Sequence, residues 1–100
     1  MAYVAGALDA TIAAAAGDDP ALFLELRKAF IDSLAKQVDL LRRARCDANW
    51  EVAALRLRGL AASFHADRVL LLADEALAAA PGEPVVIRKL QAFLDDFTAA

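Results

Sequence analysis

The fold of this chain follows from the stretch Ala54-Leu55-Arg56-Leu57-Arg58-Gly59-Leu60-Ala61-Ala62-Ser63-Phe64-His65-Ala66. On a helical wheel of about 100° per residue, most apolar residues here and in the preceding turn fall within roughly 60° of one direction. They are Trp50, Ala53, Ala54, Leu57, Leu60, Ala61 and Phe64. An arc of this kind is typical of an amphipathic helix that packs one side against a core. The stretch therefore predicts a helix over residues 49–64.

Leu55 is an apolar residue that departs from this arc. It lies about 160° from Leu57 on the wheel, and so it faces away from the predicted core. Gly59 and Ala62 follow Leu55 at positions i+4 and i+7 and share its outward side, with Arg58 on the flank. The geometry predicts an exposed leucine above small side chains, with a cation beside it.

The rest of the chain is also predicted to be helical. Hydrophobic residues make up 60% of it, and it has only three prolines and four glycines, a composition that favours helices. No alternating strand pattern appears. The predicted helices cover residues 3–16, 20–45, 49–64, 67–80 and 84–97. We expect an all-α single domain over residues 1–100, in which residues 20–98 form an antiparallel up-down four-helix bundle and residues 1–17 a short extra helix across one end.

Capping residues indicate where three of these helices begin. Asp19 is the expected N-cap of the helix that starts with Pro20, because a proline at the first helical position loses no hydrogen bond. Pro84 has the same position in the last helix, and Asp47 and Asn49 are two possible caps of the third.

In the fourth helix, the spacing predicts that the residues facing the core are Val69, Leu72, Ala73 and Ala76.

Charge and composition exclude several classes of function. The formal net charge of −3 gives no reason to expect nucleic acid as a partner, since phosphate binding needs a concentrated basic face. Charged residues interrupt every apolar run well before the roughly 18 residues of a membrane-spanning helix. Residues 1–17 lack the Lys or Arg of a secretory leader, so we expect a cytoplasmic protein without a membrane segment. With Cys46 and His65 as its single cysteine and histidine, we expect neither a metal nor a cofactor.

The opening stretch resembles the signature helix of the histidine phosphotransfer (HPt) domain family, which reads Ala-His-x-Leu-Lys-Gly, then small residues, then an aromatic or aliphatic residue and Gly-Ala. The matching residues are Ala54, Leu57, Gly59, Ala61, Ala62, Phe64 and Ala66, with Arg58 in place of the lysine. Two positions depart from the pattern, because Leu55 stands where the family has its phosphate-accepting histidine and His65 where it has glycine. The resemblance extends over residues 21–97 and implies the HPt bundle without the HPt chemistry.

The resemblance also implies a partner. In an active HPt domain an exposed imidazole attacks the aspartyl phosphate of a receiver domain, and the neighbouring lysine stabilises the phosphoryl charge. Leucine has no nucleophilic atom, so no phosphohistidine can form at residue 55. We therefore expect a non-enzymatic pseudo-HPt module of a two-component phosphorelay, which binds a response-regulator receiver domain or a histidine kinase. The residues expected to bind this partner are Leu55, Arg58, Gly59, Ala62, Arg56 and Glu51.

Three alternatives remain at this point. The chain could be an active phosphocarrier that uses His65, its single imidazole. It could instead be a structural bundle that self-associates as a homodimer over the outward patch. Finally, the N-terminal helix could fold over Leu55 and remove it from the surface.

Overall fold

Five α-helices account for most of residues 6–99, which are the residues described in the computed structural model. They are α1 (Gly6–Ala16), α2 (Pro20–Arg43), α3 (Asp47–Phe64), α4 (Asp67–Leu77) and α5 (Pro84–Ala99). This part of the chain contains no strand, which confirms the all-α prediction. Residues 3–5 of the predicted first helix lie outside the described residues.

Helix α2 begins as its capping signal predicts. Asp19 has extended backbone angles, and its carboxylate oxygen accepts hydrogen bonds from the backbone N–H groups of Ala21 at 3.0 Å and Leu22 at 3.2 Å. These bonds satisfy two of the amides that a helix start leaves unpaired. The helix ends two residues earlier than predicted, because the backbone turns to an extended conformation at Ala44 and buries that side chain.

Helix α3 begins at Asp47, and the predicted capping roles of Asp47 and Asn49 are wrong. The residue at the N-cap position is Cys46, which has extended angles and makes no side-chain capping hydrogen bond. A thiol is a weak acceptor, so it replaces a carboxylate poorly at this position. Asp47 lies instead in the first turn, where its negative charge interacts favourably with the positive end of the helix dipole.

Helix α4 ends at Leu77, three residues before the predicted end, because of two contacts at its last turn. The indole Nε1–H of Trp50 donates to the carbonyl oxygen of Ala76 at 2.8 Å, and the backbone N–H of Ala79 donates to the same oxygen at 3.1 Å. This oxygen would accept the amide of Ala80 if the helix continued. Pro81 also disfavours a helical conformation at Ala80.

The helices pack into a compact bundle with antiparallel contacts. Helix α2 contacts α3 and α5, and α4 contacts the same two helices, while α1 packs against α2 and, less extensively, α3. The fully buried side chains that form the shared core include Phe30, Leu34, Leu41, Leu57, Leu72, Leu90 and Phe97. The four residues predicted to face the core from α4 are all buried. Leu8 and Ile12 attach α1 to this core.

No helix within residues 6–99 combines the length and the apolar character that crossing a bilayer would require.

Candidate docking site on helix α3

Leu55 lies on the outer surface of α3. It is 46% exposed, whereas the inward residues Trp50, Ala54 and Leu57 are at most 3% exposed. Helix α1 packs against α2 and α3 without burying Leu55, so the alternative in which residues 6–16 cover this side chain is wrong. The wheel therefore predicted the orientation of α3 correctly.

An open groove of about 420 Å³ surrounds Leu55 between α3 and α4. We call it the α3–α4 groove, and its lining residues are Leu55, Arg58, Gly59, Ala62 and Leu70. Four of them are residues that the sequence predicted to share one face. The fifth, Leu70, was not predicted. It lies about 100° from Val69 on the wheel of α4, at the edge of the buried face, and this position is the signal that could have identified it.

Gly59 leaves open space at the floor of this groove. A Cβ atom placed on Gly59 would meet no heavy atom within 4 Å, apart from the backbone of its own helix, and φ of this residue is not positive. Neither packing nor backbone conformation within the described chain therefore requires glycine here. Glycine inside a helix costs about 0.8–1.0 kcal/mol relative to alanine, so its presence favours a role in contact with a partner.

Arg58 is paired across the groove rather than free. Its guanidinium Nε lies 3.1 Å from a carboxylate oxygen of Asp74 on α4, and both side chains are about half exposed. An ion pair this exposed contributes about 0–1 kcal/mol to stability. The ion pair compensates the positive charge of Arg58. The groove therefore has an apolar floor and no unpaired charge from Arg58. None of the five lining side chains is a nucleophile.

The other two predicted partner-binding residues line different grooves. Glu51 is exposed beside Trp50, Leu77 and Pro81, at the end of the bundle where α3 begins. Arg56 is exposed about 100° around α3 from Leu55, in a groove between α3 and α2. The six predicted residues are therefore all exposed, but they line three grooves rather than one.

His65 forms the end of α3 and lies outside the α3–α4 groove. Its backbone is left-handed, with φ 56° and ψ 38°, and its side chain is exposed. The backbone N–H of Ala66 donates to the carbonyl oxygen of Ala61 at 2.8 Å, which closes the last turn as a glycine in this position normally would. The helix thus ends where the family pattern places its glycine, despite the strain of a side chain there.

Residues 6–99 contain no group of three or more His, Cys, Asp or Glu side chains able to hold a metal ion. Comparison with known protein families, with curated proteins and with solved structures gives no match. The HPt resemblance thus depends on the residues of the chain itself, above all those of α3.

Proposed function

We propose that this chain is a pseudo-HPt module, which binds a receiver domain or a histidine kinase of a two-component phosphorelay and accepts no phosphate. The main support is the position of Leu55. It occupies the place of the phosphate-accepting histidine in the resembling stretch, and it is 46% exposed in an open groove beside Gly59 and Ala62. A residue so placed can contact the surface that an active HPt histidine would approach.

The arrangement of the helices is consistent with this proposal. The contacts of α2 and α4 with both α3 and α5 fit an up-down four-helix bundle, with α1 as an extra helix. HPt domains share this architecture.

A hydrophobic anchor replaces the phosphoryl group in the proposed interaction. Small residues at Gly59 and Ala62 allow a partner to approach the backbone of α3 closely, and Leu55 and Leu70 offer apolar surface for it to cover. Asp74 pairs with the Nε of Arg58 and so compensates much of the positive charge that would otherwise attract a phosphoryl group. The module would then compete with active HPt proteins for the same receiver surface and reduce the flow of phosphate.

A titration against purified receiver domains tests the proposal. We expect binding to at least one receiver, and we expect Leu55→Asp to weaken it at least about tenfold, because a carboxylate would be buried in an apolar contact. Leu71→Asp is the matched control, since Leu71 is 64% exposed on α4 and does not line the groove. Absence of binding to every receiver domain and to every histidine kinase titrated in the same way, or an equal loss of affinity in Leu55→Asp and Leu71→Asp, would refute the proposal.

The same preparation separates the two alternatives. A phosphocarrier that uses His65 would gain one acid-labile, base-stable phosphate from a phosphorylated receiver, and His65→Ala would lose it. A self-associating bundle would sediment faster at higher protein concentration, and Leu55→Asp would abolish that change.

A further inference from the structure

A second groove lies on the other side of α3, where this helix packs against α2. It encloses about 360 Å³, and we call it the α2–α3 groove. Its lining residues are Leu40 and Arg43 from α2, Ala44 directly after this helix, and Asn49, Val52, Ala53 and Arg56 from α3. The α3 residues have the spacing i, i+3, i+4 and i+7, so this side of the groove extends about 10 Å along the helix axis. An open, elongated groove suits a peptide segment better than a small molecule, which usually binds in a concave pocket.

The floor of the α2–α3 groove is apolar and partly uncovered. Ala44 and Ala53 are buried beneath it, and Leu40 is half-buried. Val52 is 45% exposed and stands on the outer edge of α3, one turn before Leu55. A hydrophobic side chain from a partner would therefore find accessible apolar surface mainly at Val52 and Leu40.

The rim of the α2–α3 groove is basic, although the chain as a whole has a net charge of −3. Within residues 6–99, Arg56 makes no ion pair. Lys36 makes none either and lies one turn before Leu40 on α2, beyond the residues that line the groove. Arg43 forms an ion pair with Asp39, with 2.9 Å between a guanidinium nitrogen and a carboxylate oxygen. The α3–α4 groove differs, because its single lining arginine, Arg58, is paired with Asp74, whereas the α2–α3 groove keeps Arg56 in addition to the paired Arg43.

We propose that the α2–α3 groove binds an acidic amphipathic helix of a partner protein. The apolar stripe of that helix would cover Val52 and the accessible part of Leu40, and its carboxylates would pair with Arg56 and Lys36. These two cations, which make no ion pair within residues 6–99, select for acidic over basic segments, because a basic segment would meet like charges there. This proposal does not depend on the HPt resemblance or on the α3–α4 groove.

Two fluorescent peptides of about 18 residues test it by anisotropy. Both have leucine at i, i+3, i+4 and i+7, with glutamate on the flanks of one and lysine on the flanks of the other. We expect the glutamate peptide to bind at least about tenfold more tightly, and its affinity to fall as salt is raised from 50 to 500 mM, an order-of-magnitude range over which exposed charges become screened. Equal affinities for the two peptides, or binding insensitive to salt, would overturn the proposal.

Variants locate the binding site. Arg56→Glu should weaken binding of the glutamate peptide at least about tenfold, because it reverses the charge at the rim. Arg56→Gln should weaken binding less, because it only removes that charge. Arg88→Glu is the matched control, since Arg88 is an exposed arginine of α5 outside both grooves. Equal losses of affinity in Arg56→Glu and Arg88→Glu would indicate that the overall charge of the protein attracts the peptide. That result would contradict binding in the α2–α3 groove. Self-association that Arg56→Glu abolishes would make the occupant a second copy of this chain and would equally contradict it.

Discussion

Gly59 offers a direct test of the geometry of α3. It lies within the helix on the exposed side, and a Cβ atom there would meet nothing within 4 Å outside the helix's own backbone. Because the backbone is helical, alanine fits without strain. We predict that Gly59→Ala raises the free energy of unfolding by about 0.8–1.0 kcal/mol, the difference in helix propensity between the two residues. For a domain of this size the melting temperature should rise by about 4–8 °C.

Trp50 provides the signal for this measurement. It is the single tryptophan, it is 3% exposed, and its indole N–H is hydrogen-bonded to the carbonyl oxygen of Ala76. Its fluorescence should change sharply when urea unfolds the bundle. Equilibrium unfolding of Gly59→Ala and of the unaltered chain, fitted with a common slope, then gives the difference in free energy.

Gly17→Ala is the matched control. A Cβ atom on Gly17 also meets nothing within 4 Å, but this residue has φ +65°, where a side chain is strained. We expect Gly17→Ala to lower the free energy of unfolding by about 1 kcal/mol or more. The two substitutions add the same atoms to open space, so opposite signs would isolate the effect of the backbone. A loss of stability in Gly59→Ala would refute the reasoning, because it would mean that the floor of the groove is filled.

Two further substitutions test how α3 ends and how it is attached to α4. His65→Gly should raise the free energy of unfolding by about 1 kcal/mol, because glycine adopts φ 56° without strain, and urea unfolding that shows no gain would contradict a left-handed residue 65. Trp50→Phe should lower it by about 1–3 kcal/mol, measured by circular dichroism, because it removes the buried hydrogen bond of 2.8 Å to Ala76 and leaves space unfilled. A loss below about 0.5 kcal/mol would mean that this bond does not fix the end of α4.

The sequence predicted those features that depend on neighbouring residues in the chain. The cap at Asp19 and the start at Pro20 were predicted correctly, because both depend on local hydrogen bonds and backbone angles. The prediction that Leu55 faces outward was also correct, since helical periodicity determines this orientation once the buried face of α3 is known. Apolar spacing similarly identified the buried face of α4.

Features that depend on contacts between helices were not predicted. The early end of α4 involves the hydrogen bond from Trp50 to Ala76, between residues 26 positions apart. The pairing of Arg58 with Asp74 and the place of Leu70 in the groove likewise require the relative positions of α3 and α4. The separation of Arg56 and Glu51 into different grooves has the same origin, because exposure on one helix does not reveal which neighbour lies beside it.

The exposed faces of α2 and α3 differ in a way that favours contact between α3 and a partner. The solvent-facing side of α2 contains ion pairs one turn apart, such as Lys28 with Asp32 at 2.8 Å, which suits a surface in water. The corresponding side of α3 presents Val52, Leu55, Gly59 and Ala62 instead, all exposed. Exposure of Val52 and Leu55 to water is unfavourable. Gly59 lowers the stability of the helix, and no packing contact within the described chain requires a glycine there. Coverage by the proposed partner would offset these costs, and the grooves on the two sides of this surface differ in charge because Asp74 pairs with Arg58 in one, whereas Arg56 in the other makes no ion pair within residues 6–99.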